Sequence, residues 1–184
     1  MILYAIVALS LFVSMITQEL VPAFPWLFQG ARVLIMPVVF FYGALAFPYG
    51  GMLGLAFVTG FMWDALHVQV IDSNVEISLG WSIVLYAALG AIMSGFRPLF
   101  EKGFGVIIHT ILSGIFVALI VFSEYLMITF RRGEFLFPQV IWWRIGGAGA
   151  IAMLMAPPIY GIFHYLGRLV GHFQFGTTTR KAMA

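Results

Sequence analysis

Residues Gly50–Arg97 read GGMLGLAFVTGFMWDALHVQVIDSNVEISLGWSIVLYAALGAIMSGFR. Two apolar segments flank a short polar loop that holds Asp72, Ser73, Asn74 and Glu76. The first segment is laced with Gly50, Gly54 and Gly60, and Asp64 follows the last of them by about one helical turn. The second opens on Leu79-Gly80 and passes Tyr86, Gly90 and Gly95 before reaching Arg97. An acid closing a glycine-lined apolar segment is the least generic feature of the chain. Glycines let a second helix approach closely, so the pattern predicts that Asp64 faces protein and not lipid.

The rest of the composition sets the class. Of 184 residues, 62% are hydrophobic and 9% are charged, with a mean hydropathy of +1.05. Soluble domains carry about 25% charged residues, so this set cannot cover an ordinary solvated surface. A membrane crossing needs about 20 apolar residues, which leaves room for about six crossings and no separate soluble domain. A transmembrane barrel would need alternating apolar and polar positions, and the run from Val33 to Phe41 does not alternate. The expected fold is all-α, a polytopic helical membrane protein. The net charge of +2 is too small for a nucleic-acid partner. Without cysteine there is no disulfide, thiol nucleophile or zinc-thiolate site. Met1 leads into Ile-Leu-Tyr with no basic stretch before the apolar run, so an uncleaved first span is expected.

Hydropathy and breakers place the spans at about Ile2–Thr17, Arg32–Phe47, Gly50–Leu66, Leu79–Phe96, Phe104–Phe130 and Pro138–Pro158. The second is short for a crossing and must sit in thinned bilayer or lean on neighbours. Arg97-Pro98 and Glu101-Lys102 mark a charged turn, and Arg131-Arg132-Gly133-Glu134 end the fifth span. Beyond Pro158, Ile159, Ile162, Phe163, Leu166, Leu169, Val170 and Phe173 recur at helical spacing, with His164, Arg168 and His172 opposite. That suits a helix along the bilayer surface or the end of a tilted sixth span. Residues 1–176 are read as one integral membrane domain and 177–184 as a disordered cytoplasmic tail. An even number of crossings puts Arg97, Lys102, Arg168, Arg180 and Lys181 on one side and Arg32, Arg131 and Arg132 on the other, with Arg144 just inside it. The basic-residue rule then favours cytoplasmic termini.

A carboxylate at mid-membrane costs about 2.5–3.5 kcal/mol, which makes Asp64 the first candidate. Its bland reading is an interfacial acid with its head in water. Gly60 lies on Asp64's side of the helix, while Gly54 is offset. Glu124, near the end of span five, and Arg144, near the start of span six, reach the same level as Asp64. An ion pair of Arg144 with Glu124 or Asp64 would offset the burial of both charges; the alternative is that each snorkels outward separately. His109 reads as a hydrogen-bonded structural histidine inside span five. His164 and His172 are two turns apart, a poor metal arrangement. No HExxH, GxSxG or phosphate-cradling loop occurs. The Gly146-Gly147-Ala148-Gly149 run reads as a close-packing surface. Nothing argues for catalysis, and neither a cofactor nor a metal is expected.

In their order, these features resemble the rod shape-determining protein MreD family of bacterial inner membranes. The matching residues are Gly54-x5-Gly60-Phe61-Met62-Trp63-Asp64, the polar loop, Leu79-Gly80, Tyr86-Ala87-Ala88-Leu89-Gly90 and the closing Gly95-Phe96-Arg97. Elsewhere the likeness is hydropathy alone. This chain departs from the family pattern in a longer loop after Asp64, an acidic pair in that loop and a longer amphipathic C-terminus.

The resemblance implies a non-enzymatic scaffold of the lateral cell-wall elongation machinery in the inner membrane. Its implied partners are an MreC-like single-span periplasmic protein and, less directly, an MreB-like filament and the peptidoglycan synthase pair. Gly54, Gly60, Asp64, Gly80 and Gly90, with Glu124 and Arg144, would then shape packing surfaces for a partner or for the core. The family's fold is similar to the substrate-binding subunits of energy-coupling-factor vitamin transporters, which makes transport the competing class. A polar pocket lined by Asp64, Glu124, Arg144, Trp63 and Trp81 would suit a small ligand there. Those subunits carry an Ala-x-x-x-Ala motif on the first span; here Leu9 stands four residues after Ala5, and the Ala87/Ala91 pair lies in span four.

Overall fold

The computed structural model describes residues 2–21, 28–67, 70–71, 74–75, 80–100, 104–133 and 138–170. The described elements are helices α1 (Ile2–Leu20), α2 (Ile35–Ala46), α3 (Tyr49–Leu66), α4 (Trp81–Gly95), α5 (Arg97–Leu99), α6 (Gly105–Arg132) and α7 (Gln139–Leu169). Between α3 and α4 lies a two-residue antiparallel ladder, Val70 opposite Val75 and Ile71 opposite Asn74, which hydropathy did not foretell. Asp72, Ser73, Glu76, Glu101, Lys102, Glu134, His172 and the 177–184 tail fall outside the described residues.

Helices α1, α6 and α7 are long and apolar enough to cross a membrane, and α2 and α4 are shorter apolar helices. The surface agrees with a membrane protein. Helix α1 buries Leu3, Val7, Leu11, Ser14, Met15 and Gln18 on one stripe, while Ile2, Leu9, Phe12, Val13, Ile16 and Leu20 stand exposed. Ile107, Ile111 and Ile115 do the same on α6, and Leu154 and Ile162 on α7. Apolar faces of this extent stay exposed when the surrounding medium is itself apolar.

Helix α2 is the hub. Its 12 residues span only about 18 Å at 1.5 Å per residue, yet every residue from Met36 to Ala46 is buried. It packs against α1, α3, α4, α6 and α7. Its rings reach outward to three of these neighbours: Phe40 meets Tyr86 edge-on at 5.1 Å, Phe41 meets Phe116 at 5.2 Å, and Tyr42 stacks on Phe163 at 5.1 Å. A short helix that leans on neighbours all round needs no bilayer of its own thickness. Gly43 makes the packing tight, since a Cβ there would lie 2.8 Å from Leu55 and 3.2 Å from Val7.

Around the hub stand two helix pairs, α3 with α4 and α6 with α7. Helix α7 runs unbroken through Pro157 and Pro158 to Leu169. Its 31 residues extend about 46 Å, longer than a hydrocarbon core of about 30 Å. The segment after Pro158 is therefore the end of a long helix and not a separate surface helix. Ile159, Tyr160 and Phe163 face the core, whereas Ile162 and Leu169 are exposed. His109 is buried against the hub, with Nε2 3.3 Å from the Val38 carbonyl.

Candidate functional site

Helix α3 ends at Leu66, where His67 donates its backbone N–H to the Trp63 carbonyl at 3.0 Å. Trp63 and Asp64 therefore sit on the last turn, beside the start of α4. Asp64 is 2% exposed. Its Oδ2 accepts the backbone N–H of Gly80 at 2.6 Å. Gly80 is the residue preceding α4 and holds φ at +102°, a left-handed conformation that favours glycine. A carboxylate at a helix N-terminus satisfies an orphan donor and meets the positive end of the dipole. Asp64 thus caps α4 from across the α3–α4 pair, while its Oδ1 has no hydrogen-bond partner among the described residues.

One turn earlier, Gly60 explains why the two helices can come so close. A Cβ on Gly60 would fall 2.5 Å from both the nitrogen and the Cα of Ile83. Backbone touches backbone there, and any side chain would force the helices apart. Gly90 makes room further along α4, where a Cβ would lie 2.8 Å from the Met52 sulfur and 2.9 Å from Phe40 Cζ. Gly54 does not join this surface. It is exposed, and a Cβ there would meet nothing within 4 Å.

The Trp63 indole reaches the other helix pair. Its Nε1–H donates to Glu124 Oε1 on α6 at 2.6 Å. His67 stacks on the same indole, with ring centroids 4.3 Å apart. His67 Nε2 lies 3.2 Å from Glu19 Oε1, and His67 Nδ1 lies 3.0 Å from the Trp63 carbonyl. Both ring nitrogens face oxygen atoms.

Arg144 differs from expectation. It makes no ion pair with Glu124 or Asp64 among the described residues. Its Nε donates to the Gln29 carbonyl at 3.1 Å, and its Nη1 lies 3.4 Å from the Tyr125 hydroxyl. The exposed guanidinium finds neutral acceptors in a peptide carbonyl and a phenol, whereas Asp64 is already held by α4 and Glu124 by Trp63. Arg144 and Glu124 nevertheless share a cavity of about 260 Å³ with Arg32, Trp63, His67 and Tyr125. Leu34, Val121, Ile128 and Ala148 supply its apolar wall. A second cavity of about 230 Å³ adjoins it, lined by Gln18, Glu19, Arg32, Leu34 and His67 among others. Asp64 and Trp81 line neither.

Glu124 and Arg144 therefore come together at one cavity, but Asp64 serves the neighbouring helix contact and not the cavity. Arg32, His67, Tyr125 and Gln18 were missed as members of the site. Arg32 had been placed on the same side by the count of basic residues, and that was the available signal. Among the described residues, no group of three or more His, Asp or Glu side chains could hold a metal ion.

In comparisons with known proteins, no family model, no curated protein and no solved structure matches this chain.

Proposed function

We propose that the chain is a non-enzymatic membrane scaffold of the bacterial elongation machinery, as its resemblance to the MreD family implies. In this reading all six helices longer than three residues cross the inner membrane and both termini are cytoplasmic. Its partner would be an MreC-like single-span periplasmic protein, with an MreB-like filament and the peptidoglycan synthase pair further off. One observation carries the reading: Asp64 of α3 caps Gly80 at the start of α4, one turn from where Gly60 rests on Ile83. Residues consumed in holding two helices together serve contact and not turnover. The exposed apolar faces of α1, α6 and α7 offer surface to a partner helix.

Affinity purification of the tagged chain from its native membranes tests this. The expected result is recovery of a single-span coiled-coil protein together with elongation enzymes. Recovery of a nucleotide-hydrolysing transporter module instead would overturn it in favour of a substrate-binding subunit of the energy-coupling-factor type. The cavity shared by Glu124 and Arg144 favours that second reading, and Leu9 standing four residues after Ala5 on α1 weighs against it. A gene next to an actin-like gene and a single-span partner gene would support the scaffold.

A further inference from the structure

The two adjoining cavities are more polar than a helix-packing role requires. Arg32, Leu34 and His67 line both. Arg32 has no hydrogen-bond or ion-pair partner among the described residues, and it is exposed. Arg144 spends Nε and Nη1 on Gln29 and Tyr125, which leaves Nη2 without a partner among the described residues. Gln18 adds a third donor. It is 6% exposed, and its Oε1 accepts the Met36 backbone N–H at 3.2 Å. That bond fixes the amide's orientation and leaves Nε2 buried without a partner among the described residues. A buried donor of this kind is uncommon in folded proteins and calls for an acceptor.

Acids and bases alternate around these cavities. His67 and Glu19 face each other at 3.2 Å. Glu124 is held by Trp63 and lines the first cavity together with Arg32 and Arg144. Asp64 lines neither cavity and is taken by the N-terminus of α4. The guanidinium donors of Arg32 and Arg144 suit a planar or tetrahedral oxyanion. Leu34, Val121, Ile128 and Ala148 beside these donors suit the carbon skeleton of an amphiphile.

We propose that the paired cavities bind a phosphate ester through Arg32, Arg144 and Gln18. The ester is either the phosphodiester headgroup of a membrane lipid or a small soluble phosphate ester. The inference rests on the cavities alone and stands apart from the scaffold reading.

The full chain, purified in a neutral maltoside detergent, is titrated with glycerol phosphate while its thermal transition is followed. Matched sodium chloride serves as the ionic control. In parallel, the chain is exchanged into vesicles of phosphatidylcholine with or without phosphatidylglycerol, and retained lipid is measured by mass spectrometry. The expected result is a saturable upward shift, or selective retention of phosphatidylglycerol. R32Q and R144Q each weaken it about tenfold or more while leaving the unliganded transition in place. Q18L weakens it less. A shift with glycerol phosphate identifies a soluble ester, and retention of phosphatidylglycerol without that shift identifies a lipid headgroup; both support the site. Equal response of wild type, R32Q and R144Q would overturn it. So would a response to acetate matching that to glycerol phosphate, or no response to either probe.

Discussion

Helices α3 and α4 cross on glycine, and so do α6 and α7, but the two crossings are built differently. On α3 the glycine is one-sided: Gly60 rests against the backbone of Ile83, which carries its own branched side chain. Four residues away the same interface is fastened by a charge-assisted hydrogen bond from Gly80 to Asp64. Helices α6 and α7 meet on glycines from both sides. A Cβ on Gly149 would lie 2.8 Å from the Gly114 carbonyl oxygen, and a Cβ on Gly114 would lie 2.9 Å from that of Gly149. The polar bond from Arg144 Nη1 to the Tyr125 hydroxyl lies further along this pair, at 3.4 Å, beside Glu124 and the cavity. The first pair is closed at its polar end, and the second is closed in its middle and open at that end. Closure at the loop makes a structural joint, while closure away from it leaves room for a ligand.

That contrast can be broken by substitution. The largest effect is expected from Gly60→Leu, which drives a side chain into the Ile83 backbone and should cost about 3 kcal/mol or more. It would be read as loss of folded protein in detergent chromatography. Gly149→Ala should cost about 1–3 kcal/mol, less because a single methyl meets the Gly114 carbonyl and the Ala118 methyl. A thermal melt separates the two, and equal losses would erase the distinction between the crossings. Asp64→Ala removes the cap from α4 and should cost about 1–2 kcal/mol, whereas Asp64→Asn keeps an acceptor and most of that stability. If alanine and asparagine behave alike, Asp64 does not act through Gly80. Gly54→Ala sharpens the comparison from the other side. With open space around it, alanine should be neutral or stabilise the helix by up to about 1 kcal/mol. Arg144→Glu should change stability least, by about 0.5 kcal/mol, because the arginine is exposed and pairs with no carboxylate among the described residues. Loss of folded protein on that exchange would restore the ion pair that the geometry denies.

Much of the architecture was legible from period and punctuation. The starts of α3 and α7 follow Pro48 and Pro138, and α6 ends at Gly133 in the left-handed conformation, where breakers predict ends. Gly60 and Asp64 were readable because one turn of helix puts them on one face, and only a close neighbour gives that pairing a purpose. Gly54 is offset from that face by the same count, and its face turns outward. The cavity was half legible. Depth along a helix follows from counting residues, so Glu124 and Arg144 could be set at one level. Which partner each would take could not be counted, because Trp63, Tyr125 and Gln29 arrive from separate elements.

The amino-acid string by itself determined that this is an apolar helical chain for a membrane, with an acid and a glycine set for a helix contact. Those properties depend on composition and on spacing within single segments, which are local. Tertiary structure alone decided that α2 is buried on every side, that Asp64 caps α4, and that Arg144 binds a carbonyl and a phenol. Each of these depends on which residues meet across the bundle, and distance along the chain carries no record of that.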